Sequence, residues 1–278
     1  MILISGAGGN LGRLVAERLA HHDDVVLGTR DPGANGPAGR RIDFDDPATL
    51  ADGFDGVTTL LLISAGYAED DVVIRRHGAA VDAAERAGVR TIVYTSLSAA
   101  GDHLTYALAH RWTERRLRRS QVSSVVLRNG LYTELLLDLT TPGADGVITA
   151  PLGSGRLAAV AREDLADVAA RVTRDPQAHA GRTYELVGAE AIGAAEVAAH
   201  LSRVRGTPVT YRPAALAQAR STLEADPALQ SFQVPMVCST YSAIAAGFLA
   251  DTAGDLPALL GAAPRPLGSV QHAALATG

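Results

Sequence analysis

Residues Ile4–Gly12 read Ile-Ser-Gly-Ala-Gly-Gly-Asn-Leu-Gly, and they join a short apolar run, Ile2–Ile4, to a segment with apolar residues at helical spacing, Asn10–Ala20. Glycines spaced as Gly-x-x-Gly-x-x-Gly let backbone N–H groups approach a pyrophosphate at the first turn of a helix. Strand, glycine turn and helix in this order predict a dinucleotide-binding site, although a tight turn without a ligand has the same pattern. The residues expected to contact the cofactor here are Gly6, Ala7, Gly8, Gly9, Asn10, Leu11 and Gly12.

Beyond this turn, apolar runs alternate with helical patterns through the first half of the chain. Strands that are apolar throughout and separated by helices are typical of a parallel sheet covered on both faces. The sequence therefore predicts an α/β protein with a Rossmann-type, doubly wound parallel sheet. The expected strands are Ile2–Ile4, Val25–Leu27, Arg41–Asp43, Val57–Ile63, Thr91–Tyr94 and Val122–Leu127, and the helices expected between them include Asn10–Ala20, Asp71–Ala87 and Thr105–Arg119.

The pattern changes after Arg128, where a Gly- and Pro-rich stretch precedes a helical pattern at 163–173, a strand pattern at 183–187 and mostly helical patterns with a short strand at 208–211. We expect residues 1–130 to form an NADP-binding Rossmann domain whose sheet is completed by residues 156–188. Residues 131–155 and 189–278 are expected to form a small, mostly helical substrate lobe at the carboxyl ends of the strands, where such sheets bind their ligands.

All 25 basic residues are arginine, so the chain has no lysine. This excludes a Schiff-base lysine, a phosphate-loop lysine and the usual Tyr-x-x-x-Lys pair, because arginine stays protonated and cannot act as a base. The net charge of −5 predicts no nucleic-acid partner. No apolar run approaches the roughly 18 residues of a membrane span, so no membrane partner is expected. The histidines are not spaced as metal ligands, so no metal site is expected. The single cysteine, Cys238, favours a cytoplasmic location.

Arg30 follows the second expected strand, near the place where the fold class binds the adenosine ribose. An arginine there favours the 2′-phosphate of NADP(H), whereas a carboxylate would favour NAD(H). NADP(H) is therefore preferred. NAD(H) stays possible because Asp31 comes next, and Arg30 could also be a solvated charge in a turn.

Five segments, in order along the chain, carry a family resemblance: Ile4–Gly12, Leu60–Ser64 (LLLIS), Tyr94–Leu97 (YTSL), Leu127–Tyr132 (LRNGLY) and Thr183–Gly188 (TYELVG). They resemble the NmrA-like group of atypical short-chain dehydrogenases/reductases, and within it the type 2 NAD(P)H-dependent quinone oxidoreductases. The resemblance implies a Rossmann-type NADP(H) domain with a small C-terminal substrate lobe.

The resemblance also implies site residues beyond the glycine turn. Ser96 could instead cap a helix or occupy a turn, and Tyr132 could be an ordinary packing tyrosine. The implied positions are Asp43 and Phe44 near the adenine, Ile63 and Ser64 near the cofactor, Thr95 and Ser96 beside the nicotinamide ribose, and Asn129, Gly130 and Tyr132 against the nicotinamide and the substrate, with Ser96 also near the substrate.

The segment from His110 to Arg115 resembles the family pattern His-x-x-Thr-Glu-Lys, with Arg115 in place of the lysine. Arg115 could hold the ribose hydroxyls but could not pass on a proton. Tyr106 and His110 are four residues apart and would share a helix face, so we consider them the catalytic candidates. The alternative is a core tyrosine and a surface histidine. The arginines at 111, 115, 116, 118 and 119 are expected to form a solvated face.

Three functions remain open from the sequence. The first is hydride transfer from NADPH to a quinone or similar conjugated carbonyl, with the proton from Tyr106, His110 or water. The second is a non-catalytic, NADP(H)-sensing regulatory protein, and the third is a biosynthetic reductase or isomerase. A small-molecule partner is expected in each enzymatic case, and the chain could be a monomer or a homodimer.

Overall fold

The computed structural model describes residues 1–33, 39–65 and 67–270. A seven-stranded sheet has the order β3-β2-β1-β4-β5-β6-β9. Two small two-stranded sheets pair β10 with β8 and β11 with β7. The strands are β1 (Ile2–Ile4), β2 (Val25–Thr29), β3 (Gly39–Arg41), β4 (Thr59–Leu62), β5 (Thr91–Leu97), β6 (Ser123–Asn129), β7 (Val147–Ala150), β8 (Arg156–Leu157), β9 (Thr183–Leu186), β10 (Ile192–Gly193) and β11 (Thr210–Pro213).

Helices connect the strands of the large sheet, as predicted for an α/β protein. The helices between its strands are α1 (Asn10–Arg18), α2 (Ala48–Gly53), α3 (Asp70–Arg86), α4 (Ala107–Arg118), α5 (Thr133–Leu139) and α6 (Arg162–Arg174). The helices that follow β9 are α7 (Ala194–Arg205), α8 (Leu216–Glu224), α9 (Gln233–Ala245) and α10 (Leu256–Leu260). No helix of the described ranges is long and apolar enough to cross a membrane.

The register of the large sheet confirms the Rossmann-type fold. Leu3 of β1 lies opposite Val26 of β2 on one side and Leu60 of β4 on the other, with all three strands parallel. Leu3, Leu60 and Ile92 are fully buried, because helices cover both faces of the sheet. The chain order reverses between β1 and β4, and such a reversal opens a crevice at the carboxyl ends of the strands.

The chain divides into two compact units. The first contains residues 1–97, 108–129 and 163–184, and the second contains residues 98–107, 130–162 and 185–278. The sequence placed the whole of 1–130 in the nucleotide-binding domain, whereas residues 98–107 cluster with the second unit. Hydrogen bonds within that unit accompany this division: the backbone N–H of Ala99 donates to Glu185 at 2.9 Å, and the hydroxyls of Tyr106 and Thr240 lie 3.1 Å apart.

Several element boundaries differ from the predicted ones. The third strand lies at Gly39–Arg41 rather than at Arg41–Asp43, and the strand expected at 208–211 lies at Thr210–Pro213. The helix expected at Thr105–Arg119 begins only at Ala107, after a 3₁₀ turn at 99–103. The short elements α2, α5, β7, β8 and β10 had no clear local periodicity and were not predicted.

Candidate active site

Backbone contacts close the glycine turn after β1 and leave no room for a side chain at Gly12. Gly6 has a φ of 62°, and its carbonyl accepts the N–H of Gly9 at 2.9 Å. A β-carbon on Gly12 would lie 2.1 Å from the Gly6 carbonyl oxygen, so α1 packs directly on the turn. The N–H of Ala7 donates to Gly28 of β2 at 3.0 Å, which ties the turn to the sheet.

The first turn of α1 is suited to an anionic group. Its N-cap is Gly9, and among the described residues no side chain caps it and its own first turn contains no acidic residue. The free N–H groups at such a helix start attract phosphate, and the dipole adds to the attraction. Gly8, Gly9 and Asn10 are exposed at this point, whereas Leu11 and Gly12 are buried. The turn therefore fits the pyrophosphate of a dinucleotide.

Arg30 lies just beyond β2, close to a small cluster of charges around Asp45. Arg76 donates two hydrogen bonds to Asp45, at 2.8 and 2.6 Å, and Arg75 lies 3.8 Å from it. These hydrogen bonds lower the pKa of Asp45 despite a small opposing effect of burial, and the charges of Arg76, Arg75 and Arg30 contribute further. Asp43 belongs to the same loop, and its Oδ1 accepts the N–H of Asp45 at 3.0 Å.

Three more of the expected residues line the neighbouring strand ends. Phe44, in the same loop as Asp43, is half-buried and packs against the core of the first unit. Ile63 and Ser64 follow β4. The N–H of Ile63 donates to Ser5 Oγ at 2.9 Å, and the N–H of Ser64 donates to Thr95 Oγ1 at 3.0 Å. The Thr95 hydroxyl therefore already supports this loop.

The hydroxyl of Ser96 neither caps a helix nor forms a turn, because Ser96 lies within β5 and donates to Glu114 of α4 at 2.7 Å. Glu114 is only 3% exposed and accepts three further hydrogen bonds, two from Arg128 at 2.9 and 2.7 Å and one from Arg111 at 2.9 Å. Burial opposes its charge, but these partners outweigh burial and lower the pKa of Glu114. Arg111 also donates to the Leu97 carbonyl at 2.8 Å.

Asn129 ends β6 with a buried acceptor that lacks a donor. The residue is 6% exposed, and within the described part of the chain its Oδ1 has no hydrogen-bond partner. A buried carbonyl oxygen without a donor costs about 1–3 kcal/mol, so a ligand N–H at this strand end would relieve the penalty. The carboxamide of a nicotinamide has such an N–H.

Three expected residues belong to the second unit. Gly130 donates its N–H to the Leu186 carbonyl at 2.8 Å, and a β-carbon on it would lie 3.1 Å from that oxygen. Tyr132 lies at the N-terminus of α5, with the Arg162 guanidinium 4.8 Å from its ring centroid. Tyr106 shares a hydrogen bond of 3.1 Å with Thr240, and burial raises the pKa of Tyr106 to about 12.

Tyr106 lies one residue before α4, which contains His110, and the two side chains hydrogen-bond to different partners. The Nδ1 of His110 lies 2.9 Å from the hydroxyl of Tyr94, a fully buried residue of β5. Burial, with a contribution from Arg111, lowers the pKa of His110 to about 4, so its ring is neutral at neutral pH.

Arg115 is exposed on α4, and Arg111 is the arginine of this helix that reaches the end of β5. The expected solvated face is therefore only partly correct, since Arg111 and Arg116 are half-buried. Arg116 pairs with Asp82 and Glu85 of α3 at 2.6 and 2.7 Å.

Sequence reasoning did not single out the residues that hold these strand ends. Glu114 and Arg128 both lay inside segments used for the resemblance, but their mutual contact depends on how α4 crosses β6. The sequence did contain one signal for this contact: Glu114 lies beside helix positions that are buried, and a buried charge needs a partner.

Within the described residues, no group of three or more His, Cys, Asp or Glu side chains could hold a metal ion.

A parallel sheet with its chain reversal beside an uncapped glycine turn defines a Rossmann-type dinucleotide-binding protein. The chain belongs to the NAD(P)H-binding family, whose model matches residues 6–176. The curated quinone oxidoreductase 2 of Escherichia coli (strain K12) is 37% identical over 224 residues, which cover 76% of this chain and 77% of the relative.

Two solved structures are similar over nearly the whole chain. An NADPH-dependent quinone oxidoreductase from Escherichia coli, in complex with NADPH, superposes with a TM-score of 0.87 at 32% identity and covers 96% of this chain and 97% of its own. The triphenylmethane reductase of Citrobacter sp., in complex with NADP(H), has a TM-score of 0.86 at 30% identity, with 96% of each chain covered. These findings confirm the resemblance inferred from the motifs.

Proposed function

We propose that the protein is an NADPH-dependent oxidoreductase that reduces a quinone or a similar conjugated carbonyl compound. The main support for a dinucleotide cofactor is the close contact between Gly12 and Gly6, which leaves the start of α1 open to a pyrophosphate. The similar proteins named as quinone oxidoreductase and triphenylmethane reductase support a reductase rather than a sensor.

The residues that would hold the cofactor lie at the carboxyl ends of β1 to β6. The glycine turn would bind the pyrophosphate, and Arg30 would bind the 2′-phosphate of NADP(H), since a guanidinium offers a planar pair of donors. Asn129 Oδ1 would accept the carboxamide N–H. The remaining proposed contacts are Asp43 and Phe44 with the adenine, Ile63 and Ser64 with the cofactor, and Thr95 and Ser96 with the nicotinamide ribose.

The two candidate proton donors, Tyr106 and His110, are better suited to reduction of a quinone than to reduction of a simple ketone. Bound NADPH supplies a hydride, and with one proton a quinone becomes a hydroquinone and NADP⁺ is released. A general acid works best when its pKa is near the working pH. The pKa of Tyr106, about 12, and that of His110, about 4, are both far from neutral. A strongly electrophilic quinone depends least on such an acid, so Tyr106, His110 or water could supply the proton.

A turnover assay tests the proposal. Purified protein, NADPH and 1,4-benzoquinone should show saturable loss of the absorbance of reduced nicotinamide, and cyclohexanone should give no rate above the mixture without protein. A benzoquinone rate equal to that of the protein-free mixture would contradict the enzymatic assignment. Tight NADPH binding without turnover of quinones or aldehydes would instead support an NADP(H) sensor.

A further inference from the structure

The loop that follows β4 is held by side chains from three different elements. Three successive backbone N–H groups, those of Ile63, Ser64 and Ala65, each donate to one buried side chain. The acceptors are Ser5 Oγ after β1 at 2.9 Å, Thr95 Oγ1 of β5 at 3.0 Å and His77 Nε2 of α3 at 3.0 Å. All three acceptor residues are at most 4% exposed.

These side chains continue the pairing that the backbone of the sheet no longer provides. The last backbone bond between β1 and the end of β4 runs from the N–H of Ser5 to the Leu61 carbonyl at 3.0 Å, and β1 then turns away at Gly6. A buried N–H without an acceptor is destabilising. Loss of one acceptor would therefore favour another conformation of the loop. The loop lies at the chain reversal between β1 and β4, where the fold class binds its ligand.

His77 can accept this hydrogen bond in only one protonation state. Its Nδ1 lies 2.8 Å from Thr113 Oγ1, and the Thr113 hydroxyl donates to the Ala109 carbonyl at 2.8 Å. Nδ1 must therefore carry the proton, and Nε2 keeps the lone pair that accepts the Ala65 N–H. Burial, with smaller contributions from His110 and Arg76, lowers the pKa of His77 to about 3, so the neutral ring persists at neutral pH.

The neighbouring residue of α3 contacts the carbonyl group of the same loop residue, Ala65. Arg76 Nη1 lies 3.5 Å from the Ala65 carbonyl oxygen, and the guanidinium donates its two short bonds to Asp45 in the loop after β3. Arg76 and His77 thus connect α3 to two loops at the carboxyl edge of the sheet.

We propose that His77 is a positioning residue for the dinucleotide: by accepting the Ala65 N–H, it holds the loop after β4 in the conformation that binds the cofactor. His77 is fully buried and acts only through the loop. A site that is already ordered binds more tightly, because less conformational freedom is lost on binding. The proposal rests on the proposed cofactor, but not on the quinone substrate.

Calorimetry with NADP⁺ on the full chain tests this role without turnover. His77→Leu removes the acceptor and should weaken NADP⁺ binding about tenfold, or about 1.4 kcal/mol. His77→Gln places a carbonyl oxygen near the position of Nε2 and should stay within about threefold of the wild type. Val81→Ala is the matched control, because Val81 is buried one turn further along α3. It should lower the melting temperature and leave the NADP⁺ affinity unchanged.

A purely structural role predicts different results. Wild-type affinity in folded His77→Leu, or an equal loss in Val81→Ala at a similar melting temperature, would overturn the proposal. If His77→Leu does not fold, a stable His77→Gln with at least about tenfold weaker binding would also overturn it, because this variant keeps an acceptor. If the wild type binds neither NADP⁺ nor NAD⁺, the proposed cofactor itself is wrong.

Discussion

The hydrogen bonds of Glu114 allow one substitution to be worked out in detail. Glu114→Gln keeps the shape of the side chain and removes its charge, which leaves the guanidiniums of Arg128 and Arg111 without their shared counter-ion. Those two side chains are 23% and 16% exposed, and Glu114 itself is 3% exposed. Removing one partner of a buried ion pair costs roughly 3–5 kcal/mol. Because the arginines keep some solvent, we expect the lower value, about 3 kcal/mol.

Urea unfolding followed by tryptophan fluorescence measures this loss. Trp112 is the only tryptophan of the chain and lies on α4, two residues before Glu114, so it reports on the first unit. Glu224→Gln is the control, because Glu224 also pairs with an arginine, Arg220, but both side chains are more than half exposed. Exposed pairs of this kind contribute little, and we expect no measurable change there.

The effect of Glu114→Gln should also depend on pH. Because the folded protein lowers the pKa of Glu114, the charge stabilises the fold above the unfolded pKa, and this contribution is lost as the pH falls through the folded pKa. The stability difference between wild type and variant should therefore be largest near neutral pH and shrink as the pH falls below the unfolded pKa of a glutamate. A difference below about 1 kcal/mol at neutral pH, or one that stays constant on acidification, would refute the reasoning.

Three further predictions concern the cofactor and the proton. Gly12→Ala places a methyl group 2.1 Å from a backbone carbonyl oxygen and should lower the melting temperature and NADP⁺ affinity, whereas Gly8→Ala, whose nearest atom is 3.6 Å away, should keep the melting temperature. Arg30→Asp should weaken NADP⁺ binding by calorimetry about tenfold more than NAD⁺ binding, and unchanged selectivity would exclude a 2′-phosphate contact. Tyr106→Phe and His110→Ala should each reduce kcat with benzoquinone less than about tenfold, and a larger loss in either variant would identify the proton donor.

The cofactor turn could be predicted because its signal is local. The spacing of Gly6, Gly9 and Gly12 lies within one turn between a strand and a helix, and the structure shows why Gly12 must lack a side chain. The order of apolar runs was similarly sufficient for the parallel sheet, since a strand buried on both faces is apolar at every position. Both features depend on neighbours in the sequence. The parallel sheet is confirmed and the turn lies between strand and helix as expected, while its contacts with a cofactor stay a prediction.

The proposed pairing of Tyr106 with His110 shows the limit of local spacing. Four residues bring side chains together only if both belong to one helix, and α4 begins one residue after Tyr106. The hydroxyl of Tyr106 instead contacts Thr240, which is distant in the sequence. His110 similarly pairs with Tyr94 across the interface of helix and strand. The partners of both side chains are thus tertiary contacts that no local pattern contains.

The position of α4 explains why this chain can have arginine where the resemblance has lysine. Arg115 stands where the resemblance has lysine, yet its side chain is exposed, so an arginine fits there without repacking. The positive charge at the end of β5 comes from Arg111, whose guanidinium reaches the Leu97 carbonyl and Glu114. Since a guanidinium holds its proton, this charge can orient groups near the strand end but cannot pass on a proton. A reductase built in this way depends on the placement of cofactor and substrate, and quinones are the class for which placement suffices.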